Sequence, residues 1–215
     1  MTQINQQQEK KLMKQLDFLW ENTFEMNSYF HIIKQYLENS SCYRNQIRLS
    51  PTFYHYIYNA LVVATFSEVS KMYDKNSKTN IFKFLDYCKK NSNLLFLIHK
   101  RSGAGNCEED RIKKMLFSFD ENLKKLTPKL NNLKTQRDKV YAHNDSQKME
   151  DIEKLIHKNP VLIKDMEELI KLVTEVLQYI YALLTKIVRN KVVKDISDWE
   201  NTLLKLKEIR LDDRQ

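Results

Sequence analysis

The stretch LIKDMEELIKLVTEVLQYIYALLTKI, residues 162–187, decides the fold class. Leu162, Met166, Leu169, Val173, Val176, Ile180, Leu183 and Ile187 recur at alternating steps of four and three, and Ile163, Ile170, Leu177 and Leu184 widen the apolar face. Residues three and four apart stack on one side of an α-helix, so the period is helical. A stripe this wide predicts a helix in the core of a bundle, not the narrow seam of a coiled coil.

The neighbouring segments read the same way. Leu12, Leu16, Leu19, Met26, Phe30, Ile33 and Leu37 form one face of a long early helix. Ser50-Pro51 has the form of an N-cap followed by proline at the first turn, opening a helix through Tyr73 whose middle, Ala60 to Phe66, is apolar all round and is expected in the core. Asn80 caps a third helix with Ile81, Phe84, Leu85, Cys88, Leu95 and Ile98 inward, ended by Gly103 and Gly105, with a loop at 101–109. A fourth begins near Asp110 with Ile112, Met115, Leu116, Phe119, Leu123 and Leu126 inward, restarts or kinks at Thr127-Pro128 and runs to about His143. Asn144-Asp145-Ser146 should stop it, and a short helix follows as far as Asn159-Pro160. Ser197-Asp198-Trp199-Glu200 resembles a capping box for a last helix with Leu203 and Leu206 inward. The expectation is an all-α helical bundle of about five to seven helices, one domain over residues 1–215.

Composition excludes the alternatives. Two glycines and three prolines among 215 residues cannot supply the turns of a many-stranded sheet or a glycine-rich nucleotide fold. Charged residues make up 30% of the chain and the apolar runs are short, so no membrane span is expected. The N-terminus lacks the apolar core of a secretory signal, and three scattered cysteines fit a reduced, cytoplasmic protein. The net charge of +8 suits a polyanionic partner. From Arg111 to Lys148, ten Lys or Arg face four Asp or Glu, which places +6 of that charge in one segment.

Within that segment Arg137 breaks the amphipathic rule. At 100° per residue Leu130, Leu133, Val140 and Tyr141 fall within about 60° of it, so a guanidinium interrupts an apolar face and needs an anionic partner. Adjacent helical residues do not face each other, so a partner from elsewhere, or a ligand phosphate, is expected in preference to Asp138. His143 lies about 120° from Arg137 on an ideal helix. The two meet only if the helix ends or bends, or if two protomers share the site.

Arg137-Asp138-Lys139-Val140-Tyr141-Ala142-His143-Asn144-Asp145 resembles the R-x(4-6)-H signature of the HEPN superfamily, in the form found in its abortive-infection (AbiU-like) branch. The helix order resembles that family over most of the chain, although only these nine residues are specific. Arg48 and His55 also fit the bare pattern, but Leu49 replaces the polar neighbour and Pro51 breaks the segment. The resemblance implies a metal-independent, cofactor-free endoribonuclease, the toxic effector of a prokaryotic anti-phage defence or toxin–antitoxin module. It implies a homodimer acting on RNA, with an antitoxin or defence-complex protein as a further partner. In that reading His143 transfers protons, Arg137 clamps the phosphate and Asp138 orients either one. Asn144, Lys134, Lys139 and Tyr141 contact RNA. A non-catalytic HEPN subunit that binds RNA or a partner is the alternative, and a purely structural dimerisation bundle is a third. Arg137 and His143 as simple complements to a helix C-terminus is the plainest reading of the motif.

The other candidates point to structure. His31 and His157 read as packing and dipole complement. His99 and Cys107 flank the glycine loop without zinc-ligand spacing. Tyr54-His55-Tyr56-Ile57-Tyr58 could stack bases but fits core or dimer packing better. Ser102-Gly103-Ala104-Gly105 lacks the lysine of a phosphate-binding loop.

Overall fold

Why a chain so poor in glycine folds as it does is plain from the layers around its last long helix. The structure, a computed structural model, describes residues 6–103, 107–141 and 149–212. These residues form α1 (Gln6–Asn39), α2 (Arg44–Ile47), α3 (Pro51–Tyr73), α4 (Ile81–Lys90), α5 (Ser92–Ser102), α6 (Glu109–Lys125), α7 (Thr127–Gln136), a π-helical turn (Arg137–Tyr141), α8 (Met149–Lys158), α9 (Ile163–Thr185) and α10 (Trp199–Asp212). Among the described residues there is no strand, as the periodicity predicts.

The ten helices exceed the five to seven expected, because two of the predicted helices are each broken once. Asn91 separates α4 from α5 by bonding its side-chain amide to the Tyr87 carbonyl at 2.8 Å. Leu126 separates α6 from α7, where Thr127 Oγ1 caps the Lys124 carbonyl at 2.7 Å and Pro128 cannot continue the ladder. The single turn α2 supplies the remaining difference. Gly103 closes α5 with φ of 65°, a left-handed backbone that glycine adopts without strain. The expected stop at Asn144-Asp145-Ser146, and Gly105, lie outside the described residues.

Helix α9 is the axis. It packs against α1, α3, α5 and α6 and buries Met166, Leu169, Val173, Val176, Ile180 and Leu183 on one face with Ile170, Leu177 and Leu184 beside them. Asn27 on α1 donates to Thr174 Oγ1 at 2.9 Å, and Trp20 meets Tyr181 edge to face at 5.5 Å. These contacts fix the register of α1 on α9, since a polar bond in an apolar seam is lost by any slip.

Four expectations fail at the ends of stripes or on one whole face. Leu162, Ile163 and Ile187 are exposed, because α9 begins after Leu162 and ends before Ile187. Leu37 and Met115 point to solvent, whereas Leu126 and Leu206 are half-buried. The apolar run Ala60 to Phe66 is not central: Thr65 and Phe66 are buried, but Ala60 and Val63 are exposed. The rest of the protein covers only the C-terminal part of α3, where Val69, Met72 and Tyr73 are buried. The Ser197 and Glu200 side chains bond not to each other's backbone but to α1, accepting from Gln35 at 2.5 Å and Asn39 at 2.6 Å.

Helix α7 is held from two sides. It packs on α3, and its Asn132 and Gln136 amides donate to the Pro160 and Asn159 carbonyls at 3.0 and 2.7 Å. Lys129 bridges to Asp165 at 2.9 Å, and Asp165 also accepts the Leu162 N–H at 2.9 Å at the start of α9. Burial works against the Asp165 charge, but the bonds from Lys129 and the Leu162 backbone outweigh it and hold the carboxyl below its ordinary value. A depressed carboxyl stabilises the fold above the unfolded pKa of about 3.9 and loses that contribution as pH falls through the folded value. Asp165→Asn should therefore cost about 1 kcal/mol at pH 7 in urea unfolding, the usual worth of a cap or charged hydrogen bond. The gap to wild type should close below about pH 4.

Candidate functional site

The π turn that follows α7 carries five of the nine motif residues, Arg137–Tyr141. The π turn follows from the sequence only in hindsight: Arg137-Asp138-Lys139-Val140-Tyr141 continues a helix without a proline or glycine, yet its hydrogen bonds shift from i→i+4 to i→i+5. Such turns widen the helix and occur often at functional sites.

Arg137 is paired with its own neighbour. Its Nε donates to Asp138 Oδ1 at 2.7 Å, and its Nη2 lies 2.6 Å from the same oxygen. This corrects the expectation of a distant partner: the rule that adjacent residues face apart concerns Cβ directions, whereas a three-methylene side chain folds back far enough to reach. The pair is partly shielded, with Arg137 28% and Asp138 41% exposed. A guanidinium has five N–H groups, so this contact leaves most of its donors for an anion.

A cavity of about 290 Å³ opens between the C-terminal end of α3 and α7. Lys134 and Arg137 line one wall together with Leu130 and buried Leu133, and Ser70, Tyr73 and Asp74 line the other. Tyr73 donates its hydroxyl to the Leu169 carbonyl at 2.8 Å, and burial pushes its pKa far up, so it remains a neutral wall of the cavity. Lys139 is exposed and is not among the cavity residues. The backbone of Tyr141 completes the π turn. His143 and Asn144 lie outside the described residues.

Much of the basic segment is neutralised by ion pairs. Lys113 pairs with Glu109, Lys124 with Asp120 and Glu121, and Lys129 with Asp165 and Glu168. Lys134 and Lys139 have no carboxylate partner among the described residues, so uncompensated positive charge flanks Arg137. Sequence reading found Arg137, Asp138 and Lys134 but missed Ser70 and Asp74. They lie in the polar end of α3, Ser67-Glu68-Val69-Ser70-Lys71-Met72-Tyr73-Asp74, where no spacing marks either one.

The remaining candidates are structural. His99 is buried, with Nδ1 2.9 Å from the Leu183 carbonyl, which ties α5 to α9. His157 is exposed in the last turn of α8, where positive charge complements the helix end. His55 is exposed and contacts Asn59 at 3.0 Å, and Arg48 is exposed beyond the helix break. Among the described residues no three His, Cys, Asp or Glu side chains gather as a metal-ligand set, and no helix is long and apolar enough to cross a membrane.

Neither the curated proteins nor the solved structures give a match to this chain. A family model does: with the arginine motif in a helical bundle and a match over residues 9–202, this chain belongs to AbiU2, an abortive-infection family of HEPN proteins.

Proposed function

We propose that this protein is a metal-independent endoribonuclease and the toxic effector of an anti-phage defence or toxin–antitoxin module. The observation that carries the reading is the Arg137–Asp138 pair in a π turn at the edge of a basic cavity, within a HEPN chain. Arg137 holds the scissile phosphate through the donors that Asp138 leaves over, and its planar fork matches a phosphate better than an ammonium does. Asp138 is a positioning residue for that fork. The ribose 2′-OH loses its proton and attacks the adjacent phosphorus. As the O2′–P bond forms the P–O5′ bond breaks, the 5′-oxygen takes up a proton, and a 2′,3′-cyclic phosphate remains. His143 is the proton-transfer group, a role suited to imidazole because that side chain ordinarily changes charge near neutrality. Asn144, Lys134, Lys139 and Tyr141 contact the RNA.

A non-catalytic HEPN subunit, binding RNA, an antitoxin or a defence complex through the same face, is the second reading. It draws on one observation, that Asp138 already satisfies the charge of Arg137.

The active form proposed here is a homodimer. Phe53, Tyr56, Ile57, Ala60 and Val63 form one exposed stripe on the N-terminal half of α3, and Tyr56 is 68% exposed. Pro51 to Phe66 contains no Lys, Arg, Asp or Glu, so two copies meet here without like-charge repulsion despite a net charge of +8. A second copy of this chain is the occupant that fits such a face. Sedimentation should show a dimer for wild type and a monomer for Tyr56→Glu, with helical content unchanged; a wild-type monomer at micromolar concentration would overturn the assembly.

For the chemistry, purified protein is incubated with total RNA. Arg137→Ala and His143→Ala should each abolish cleavage and keep the fold, and Arg137→Lys should lose most of it. Activity should survive EDTA, leave a cyclic phosphate and fail on RNA with a 2′-deoxy substitution at the cut site. Wild-type cleavage by His143→Ala, or loss in EDTA with rescue by Mg²⁺, would refute these roles.

A further inference from the structure

We propose that the cavity between α3 and α7 binds one nucleotide unit, with its phosphate on Lys134 and Arg137 and its base in the recess walled by Ser70, Asp74 and Phe82. The RNA reading above supplies one origin for that nucleotide, a residue of the substrate strand. The binding itself stands on separate observations.

The first is Ser70. It is 4% exposed, it is one of the residues lining the cavity, and its hydroxyl has no hydrogen-bond partner among the described residues. Other buried hydroxyls on these helices behave differently: Thr23, Ser28 and Thr65 each donate to the carbonyl four residues back at 2.8 Å. A buried polar group without a partner is costly and uncommon, and this one belongs to a residue of the cavity wall. A hydroxyl both donates and accepts, which suits the edge of a nucleobase.

The second is the polarity of the cavity along its length. Lys134 and Arg137 sit together on the α7 wall, and the carboxylate of Asp74 stands on the α3 wall. Asp74 accepts the Asn76 N–H at 3.0 Å through Oδ1, which holds its carboxylate in place as an acceptor at the cavity wall. A ligand that is anionic at one end and carries N–H donors at the other matches this arrangement. Inorganic phosphate meets only half of it. Leu130, Leu133 and Phe82 supply the apolar walls that a base plane needs. Lys75, which lines the cavity beside Asp74, lies 5.1 Å from the centre of the Phe82 ring, and Tyr73 meets the same ring edge to face at 6.0 Å. At about 290 Å³ the space is at the lower bound of small-molecule pockets, roughly 300 Å³, and takes one nucleotide but not a duplex.

The test is calorimetric titration of the full-length protein with AMP, GMP, CMP and UMP up to millimolar concentration, and with pentaribonucleotides, at two salt concentrations. Wild type should bind saturably. Ser70→Ala should weaken binding about tenfold, the loss of one buried hydrogen bond. Its melting temperature should stay the same or rise, because the hydroxyl has no partner to lose. Lys134→Gln should lower affinity and flatten the salt dependence by about one charge. Asn131→Ala, on the exposed rim of the cavity, should weaken binding in the same direction. Pentanucleotides binding much more tightly than mononucleotides assign the site to an RNA strand; equal affinity assigns it to a free nucleotide. No saturable binding by wild type, or wild-type affinity in Ser70→Ala, would overturn the proposal. Cleavage that depends on Arg137 in a protein whose Ser70 variant binds normally would sink this inference and leave the nuclease reading standing. Binding that depends on Ser70 in a protein that cuts no RNA would do the reverse.

Discussion

The rest of the molecule depends on the burial of α9. Its apolar residues occupy more than half its circumference, so it is stable only when other helices surround it. Helices α1, α3, α5 and α6 do so, and the first three are each locked by a polar contact that tolerates no slippage: Thr174 from Asn27, the Leu169 carbonyl from Tyr73, the Leu183 carbonyl from His99. Because Tyr73 is also a wall of the cavity, the central core and the candidate site share a residue. The position of α3 against α7, and so the width of the cavity, is set by packing on α9 and not by the site itself.

The motif helix is attached less firmly. It touches the core through Leu133 and Leu130, packs on α3, and is fastened by hydrogen bonds to the connector before α9 and by the pairing of Lys129 with Asp165 and Glu168. The π turn follows directly. A turn of this kind gives up ideal ladder geometry, and the side chains it presents, a guanidinium and a carboxylate on successive positions, bond to each other. That self-pairing holds the Arg137 side chain in place, which in the proposed nuclease is the preorganisation a phosphate clamp requires.

The all-α class, the caps at Asn80 and Gly103 and the long stripe of α9 were legible in the sequence because period and capping are local properties. Burial of the Ala60 to Phe66 run was not, since apolar composition on every side of a helix says that something covers it without saying whether that is the same chain. The pairing of Arg137 with Asp138 escaped for another reason: periodicity describes where a side chain starts, and a long flexible one ends elsewhere. Ser70 and Asp74 became visible only when α3 and α7 were brought together. They are separated from Arg137 by more than sixty positions, and no spacing rule connects them.

The bond from Asn27 to Thr174 spans 147 positions of chain. A ribosome adding about 5–20 residues per second takes roughly 7–30 s to cover that distance. Throughout that time the apolar face of α1 has no α9 to pack on, and the walls of the cavity have no common support. The core closes only when its last long helix has emerged, so a partly made chain exposes Leu12, Leu16 and Leu19 to solvent or to a chaperone and carries no assembled cavity. If the toxic activity proposed above holds, such late closure delays it until synthesis is almost finished.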